Sequence, residues 1–274
     1  MNVGALRNHP LSVGFEWQDH RGPFRRVTDD QARQYDELGY FLLEDVIPPD
    51  VLEQVRAVID PIEVKAEAAI RRAGGKVSIA DADAIVFSAQ LVLRDAFLAE
   101  FALSTVFADL CHDLVGPDVR LWWDQCVYKK PESPKEFPWH QDNGYGFVLP
   151  ETYLTCWVPL VDATVDNGCP WVLPGMHRRG TLEHHWTDTG FQCVDNPDDA
   201  VAVPARAGSV VVFSSLTPHR TGPNLTTSVR KAYILQYAPA HAQLVDTGDG
   251  ASVSDTEAAW RLPVLVGGLP CAAR

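Results

Sequence analysis

The stretch Trp139-His140-Gln141-Asp142 sets an imidazole and a carboxylate two residues apart in a segment rich in strand formers. Residues i and i+2 of a strand share a face, so His140 and Asp142 are expected to point into one space with Gln141 turned away. A second imidazole, His219, follows the apolar run Val210-Val211-Val212-Phe213 within Thr217-Pro218-His219-Arg220-Thr221, and Arg230 comes eleven residues later. Two histidines and one carboxylate on one side of a metal leave its other positions open, which is the ligand set of non-haem Fe(II) oxygenases.

The tripeptide is not diagnostic by itself, because nine His and 24 Asp in 274 residues produce about 0.8 His-x-Asp by chance. Taken singly, His140 reads as a hydrogen-bonded strand histidine and His219 as a loop residue; order and surroundings carry the metal reading. Leu121-Trp122-Trp123-Asp124-Gln125-Cys126-Val127-Tyr128-Lys129-Lys130-Pro131 precedes the His-x-Asp. Trp157-Val158-Pro159-Leu160-Val161-Asp162-Ala163-Thr164, Asn167-Gly168-Cys169 and Pro174-Gly175-Met176-His177 follow it. Gly208-Ser209-Val210 then leads to His219 and to Arg230-Lys231-Ala232-Tyr233-Ile234. This succession, over about residues 30–240, resembles the phytanoyl-CoA dioxygenase (PhyH-like) family of Fe(II)/2-oxoglutarate oxygenases.

The resemblance implies His140, Asp142 and His219 as ligands of Fe(II), with 2-oxoglutarate chelating at two of the remaining positions and O2 at the last. Oxidative decarboxylation of the keto acid would supply the oxidant that takes hydrogen from a substrate. It also implies that Arg230 holds the distal carboxylate of 2-oxoglutarate, for which a planar guanidinium offers two parallel hydrogen bonds. Thr221 is similar to the family's small hydroxyl residue that donates to the same carboxylate. Gln125 and Trp157 fall where the family has side chains lining the cosubstrate pocket. Alternation puts Trp123, Gln125 and Val127 on one face of their strand and Asp124, Cys126 and Tyr128 on the other, without saying which faces inward. Met176 stands where the family usually has a small polar residue.

Three functions compete on these residues. The first is a hydroxylase acting on an unactivated C–H bond of a small molecule. A halogenase on the same scaffold replaces the carboxylate ligand by Gly or Ala, which Asp142 opposes. A cupin-like metal-binding barrel without oxygen chemistry has no need of Arg230 and Thr221 as a keto-acid anchor. The substrate is expected to be a natural product, lipid or amino-acid derivative, and the absence of a dense basic patch disfavours CoA phosphates. Tyr145, Phe147 and Trp171 are candidates for an apolar wall of its pocket, and the stretch bearing His177, His184 and His185 for a loop over the mouth.

The net charge of −13 and pI near 5.0 argue against nucleic acid or an anionic membrane as partner. The basic residues form scattered pairs (Arg25-Arg26, Arg71-Arg72, Lys129-Lys130, Arg178-Arg179) that read as solvated faces. None of the six cysteines has C-x-x-C spacing, no signal-peptide pattern opens the chain, and no 18-residue apolar run occurs. Free thiols in a reducing cytoplasm follow, with Cys126 and Cys156 as small core residues.

The elements that must position these groups form a helical part, about residues 28–115, and a strand-rich part, about 119–240. Together they suggest one domain over residues 1–274, mainly β: a double-stranded β-helix (jelly roll, cupin-like) core with flanking N-terminal α-helices. The first 27 residues are expected to pack loosely or wrap the body. Thr28-Asp29-Asp30-Gln31 has the form of a capping box opening a helix that ends at Gly39. Tyr40-Phe41-Leu42-Leu43 reads as a short strand; Pro48-Pro49-Asp50 opens a second helix, kinked at Pro61 and stopped by Gly74-Gly75. A helical pattern from Phe97 continues to Gly116-Pro117. Strands are expected near 119–129, 137–142, 152–161, 170–173, 201–204, 209–214 and 230–238, and 247–258 reads as a surface tail.

Overall fold

The computed structural model describes residues 6–195, 197–245, 252–253 and 258–272. Helix α1 (Asp29–Leu38) begins at the expected capping box: the Thr28 hydroxyl accepts from Gln31 N, and the Gln31 side chain accepts from Thr28 N. Such a cap contributes about 1 kcal/mol. The helix ends at Gly39, which adopts φ 85°, and strand β1 (Tyr40–Leu43) follows at once. Helix α2 (Pro49–Arg72) buries Leu52, Val55 and Ile59 on one face. It runs through Pro61 as one helix, since proline removes a single donor and the flanking bonds persist.

In the helical half, two segments depart from the sequence reading. A meander of β2 (Lys76–Val77), β3 (Ala80–Asp81) and β4 (Ile85–Ala89) follows α2 where no strand was expected. The helical stretch before Gly116 is two helices, α3 (Ala96–Ala102) and α4 (Thr105–Leu114), divided at Leu103-Ser104. The strands that follow include one on each expected run, with further short strands at 148–149, 185–187, 190–192, 219–221, 243–245, 252–253, 263–266 and 269–270 where none was expected. They are β5 (Val119–Lys129), β6 (Phe137–His140), β7 (Val148–Leu149), β8 (Leu154–Pro159) and β9 (Pro170–Val172). A hairpin of β10 (His185–Thr187) and β11 (Gly190–Gln192) precedes β12 (Val201–Ala202), β13 (Val210–Ser214), β14 (His219–Thr221) and β15 (Arg230–Pro239). β16 (Gln243–Val245), β17 (Ser252–Val253), β18 (Pro263–Val266) and β19 (Leu269–Pro270) close the described chain. Apart from Ser252, Val253 and Ala258, the stretch read as a surface tail lies outside the described residues.

The large antiparallel sheet has the order β1-β13-β8-β15-β5-β4-β3-β2, with β18 on the start of β5, and a smaller sheet has the order β12-β9-β14-β6. This is the jelly-roll architecture expected. Alternation assigns the two faces of the large sheet. Val210 and Val212, Leu154, Cys156 and Val158, and Tyr233, Leu235 and Tyr237 pack in the core that the helices cover. Val211 and Phe213, Trp157, and Ala232 and Ile234 turn the other way, into the core shared with Val172 of the smaller sheet. Arg230 shares the parity of Ala232 and Ile234, so the cavity side chains lie between the sheets. Among the described residues no helix is long and apolar enough to cross a membrane.

The N-terminal residues wrap the body. Asn8 pairs with Leu182, His9 stacks on Phe147 at 4.6 Å, and Trp17 meets His177 edge-on at 4.4 Å. His177 is fully buried, its Nε2 donates to the Asp36 carbonyl at 3.1 Å, and burial pushes its pKa down to about 4. The unfolded chain takes up that proton near pH 6.5 and the folded chain only near pH 4, so stability falls as pH drops through this window. Urea unfolding at pH 7 and pH 5 is expected to show a loss of about 2 kcal/mol from this residue. His177→Gln should flatten the pH slope by nearly one proton; an unaltered slope would place the acid sensitivity elsewhere.

Candidate active site

The two imidazoles meet because β6 and β14 are neighbours in register, with His140 directly opposite His219. Their ring centroids are 4.1 Å apart and both residues are buried. Each ring is fixed from behind by a backbone carbonyl two residues earlier in the chain. His140 Nδ1 lies 2.8 Å from Pro138 O and His219 Nδ1 3.0 Å from Thr217 O, so each Nδ1 carries the donated hydrogen. Each Nε2 lone pair is thereby left toward the centre. Burial first, and then the neighbouring His219, pull the His140 pKa well below the ordinary imidazole value, so the ring is neutral at pH 7 and open to a cation.

Asp142 reaches the same centre by a different route from the one the sequence suggested. Strand β6 stops at His140, Gln141 is extended, and Asp142 opens a 3-10 turn over Asp142–Gly144. The carboxylate therefore approaches from a turn rather than from the next rung of a strand. Its Oδ1 lies 3.9 Å from His140 Nε2 and 3.8 Å from His219 Nε2, and one ligand atom from each residue falls within 4.8 Å of the others. Its Oδ2 accepts from the Thr155 hydroxyl at 2.5 Å. Thr155 was missed in the sequence, although it lies on the inward face of β8 with Trp157.

The spacer between the ligands is a buried hub. Gln141 Nε2 donates to Gly180 O (3.0 Å) and Leu216 O (2.6 Å), and its Oε1 accepts from Leu182 N at 2.6 Å. His184 Nε2 accepts from Gln141 N at 3.0 Å while its Nδ1 donates to Leu182 O at 2.8 Å. Burial pushes the His184 pKa down to about 4, consistent with this neutral tautomer. The three histidines of the 175–200 stretch therefore serve apart: His177 in the N-terminal packing, His184 as a brace, and His185 exposed.

The remaining expected residues line the inner end of the cavity, where Gln125, Trp157, Thr221 and Arg230 border the same space as His140, Asp142 and His219. Arg230 is fully buried. Its Nη1 donates to Val127 O at 3.3 Å and its guanidinium carbon lies 5.4 Å from the Trp157 ring centroid. Nε and Nη2 have no protein partner, and among the described residues Arg230 makes no ion pair. Burial pulls its pKa down to about 9, leaving it a cation at neutral pH. A buried, half-satisfied cation is costly, and a bidentate carboxylate would complete it.

Lys129 corrects another expectation. It is buried rather than solvated, because its Nζ donates to the carbonyls of Thr221 (2.9 Å), Gly222 and Lys135, tying the end of β5 to the strand that carries His219 and Thr221. Burial and then Arg230 hold its pKa well below the ordinary lysine value. Lys130 does not reach solvent freely either: it pairs with Glu63 and Glu67. Of the three side chains proposed for an apolar wall, Tyr145 lines the outer cavity, a space of about 460 Å³ that also reaches His140 and Asp142. Phe147 is instead buried against His9, and Trp171 lies under the Arg220 guanidinium at 5.1 Å. A larger open groove of about 810 Å³ lies between α2 and β4, and among the described residues it holds no cluster of metal-ligating side chains.

Fold and site together define a jelly-roll protein with a two-histidine, one-carboxylate centre. The phytanoyl-CoA dioxygenase (PhyH) family profile matches residues 35–232, and the chain belongs to that family, one of non-haem Fe(II)/2-oxoglutarate-dependent oxygenases. Human peroxisomal phytanoyl-CoA dioxygenase is 25% identical over 272 residues, covering 89% of this chain and 80% of that protein. The match to phytanoyl-CoA dioxygenase of Arabidopsis thaliana, 27% identical over 147 residues, spans 52% of each, about half the length of that relative. Among solved structures, the epimerase SnoN in complex with Fe3+, alpha ketoglutarate and nogalamycin RO superposes with a TM-score of 0.64 at 22% identity, covering 80% of this chain and 86% of that one.

Removing the hydroxyl that orients Asp142 should be felt at the metal. Thr155→Val is expected to weaken Fe(II) or Mn(II) binding roughly ten- to a hundredfold, the usual effect of losing a ligand's outer hydrogen bond. Anaerobic metal titration measures this directly, and an unchanged affinity would mean that Asp142 is oriented without Thr155.

Proposed function

We propose that this protein is an Fe(II)/2-oxoglutarate-dependent dioxygenase that hydroxylates an unactivated C–H bond of a small molecule. His140, Asp142 and His219 would hold the iron, and Arg230, assisted by Thr221, would hold the distal carboxylate of 2-oxoglutarate beside Gln125 and Trp157. The observation that carries the reading is the buried Arg230 cation, with Nε and Nη2 unpartnered, on the same cavity as three convergent ligand atoms. A plain metal-binding barrel has no use for that cation. A halogenase would lack the Asp142 carboxylate, so neither alternative fits as well.

The bound iron and cosubstrate supply the oxidising chemistry, with O2 consumed and 2-oxoglutarate converted to succinate and CO2. The protein's own part is positioning and exclusion. Neutral His140 offers its Nε2 lone pair, Thr155 leaves Asp142 Oδ1 directed at the centre, and Arg230 selects a dicarboxylate of the right length. Phe137, 4.8 Å from the His140 ring, and Phe213, 4.5 Å from the His219 ring, keep the centre in apolar surroundings.

Anaerobic addition of Fe(II) is expected to load about one ion per chain, and 2-oxoglutarate should then produce the weak visible charge-transfer band of an iron–keto-acid chelate. Stoichiometric zinc binding with no response to 2-oxoglutarate would remove the oxygenase reading in favour of the barrel.

Arg230→Lys replaces a two-pronged donor by a point charge. Losing one charge-assisted hydrogen bond here is worth about 1.5–3 kcal/mol, so KM for 2-oxoglutarate should rise roughly ten- to more than a hundredfold. Steady-state succinate release gives the value; an unaltered KM would identify another basic residue as the anchor.

A further inference from the structure

The outer cavity is walled by rings. Among the described residues, seven of its sixteen lining positions are Phe, Trp or Tyr, against three aliphatic ones, Ile79, Val148 and Leu244. The aromatic groups come from unrelated parts of the chain: Phe87 on β4, Trp122 and Trp123 on β5, Phe137 on β6, Tyr145 and Tyr153 on the connection before β8, and Trp260 near β18.

The two adjacent tryptophans should not both be there. Consecutive strand residues face opposite ways, and alternation assigns Trp122 to the helix-covered side with Asp124. The buried positions of β5 show how this is avoided: Val119 and Leu121 are odd-numbered, whereas Asp124, Cys126 and Tyr128 are even-numbered. The parity changes at a β-bulge. Across the ladder Gln236 pairs with Trp123 and Tyr237 with Leu121, leaving Trp122 without an opposite residue. A bulge gives up regular pairing and re-aims a side chain; here it brings a second indole to the cavity. That indole is held in place, with the Arg261 guanidinium carbon 3.5 Å from its ring centroid and the Tyr153 ring tilted against it at 6.4 Å. Trp123 is held too, its Nε1 donating to Gln125 Oε1 at 3.3 Å.

We propose that the substrate carries a flat conjugated ring system that stacks on Trp122 and Trp123, with Trp122 as a specificity-determining residue; this rests on the oxygenase reading of the same site. Pre-positioned aromatic faces favour a rigid planar guest, which gains by offset stacking and has few rotamers to lose. A flexible acyl chain presents no face and would be better served by aliphatic walls. The phosphates of a coenzyme thioester would meet a single cation among the described lining residues, Arg261, which already covers Trp122. Gln125 and Gln236 supply the neutral polar groups that orient substituents on such a ring.

The test is equilibrium binding to the whole chain without iron or 2-oxoglutarate, using 9-anthracenemethanol as planar probe and 1-tetradecanol and S-palmitoyl-pantetheine, which has no ring, as flexible ones. Saturable, preferential binding of the anthracene is expected. Trp122→Phe should hold affinity within about threefold, and Trp122→Leu, which stays apolar but removes the π-face, should lose roughly tenfold. The proposal is overturned if either flexible probe binds more tightly, if the anthracene fails to saturate, or if Trp122→Leu binds it as well as wild type. Should Trp122→Leu not fold, the wild-type ranking of the three probes decides alone. Because iron is absent, a failed ring preference leaves the oxygenase reading intact. A missing 2-oxoglutarate response with ring binding preserved would remove the oxygenase reading and leave the ring preference of the cavity standing.

Discussion

Two imidazoles facing each other at 4.1 Å across one antiparallel pair set the terms for the rest of the structure. Such a pair is tolerable while each ring donates from Nδ1 to a carbonyl and presents a lone pair inward, and those carbonyls belong to Pro138 and Thr217. The backbone on both sides must therefore be rigid. Gly39, at the α1–β1 junction, packs so closely on Thr217 and His177 that a Cβ there would collide with both. The Thr217 hydroxyl also donates to Gly39 O at 2.7 Å. The register of His219 thus depends on a helix end far away in sequence, and the capped α1 is part of the machinery of the site.

The polar groups around the centre form a graded environment. Gln141 satisfies three backbone groups with one buried side chain, and a network this complete fixes geometry because any alternative leaves a buried polar group unpaired. Lys129 is likewise satisfied, by carbonyls alone. Arg230 differs from both. Its two unpartnered nitrogens are left beside a cavity whose lining includes Val127, Trp157, Phe213 and Ile234 together with the three candidate metal ligands. Buried charges need compensation, so Lys129 and Arg230, directly opposite each other in the β5–β15 ladder, contrast as a cation saturated by the fold and a cation left with donors to offer.

Chain order carried most of the site. His140, Asp142, His219 and Arg230 stand out by residue type and spacing, and Gln125, Trp157 and Thr221 by resemblance; all seven border one cavity. What the sequence hid was nonlocal. Lys129 reads as one of a surface pair because the carbonyls that bury it come from residues 135, 221 and 222. Asp142 is a local exception, reading as a strand residue because the His-x-Asp alternation is extended past a turn signal, Asp142-Asn143-Gly144, which is where the 3-10 turn forms. The meander β2 to β4 escaped notice since its strands are short, though Ile85-Val86-Phe87 is β-forming and supplies a wall of the cavity. Trp122 defeats alternation outright, a bulge being a property of the pair of strands and not of either alone.

The two ends of the cavity are built from different materials, and this decides where such a protein can vary. The inner end is formed by the paired strands of the jelly roll, whose register cannot slip without turning every inward residue outward. The outer end takes Tyr145 and Tyr153 from the connection before β8, and Trp260 and Arg261 from the C-terminal segment, elements that lie outside that constraint. Function is commonly carried on such attachments while the scaffold is kept. The bulge in β5 belongs to both regimes. It leaves Gln125 facing the inner end and turns Trp122 into the outer one, so one strand lines both ends by changing parity between them.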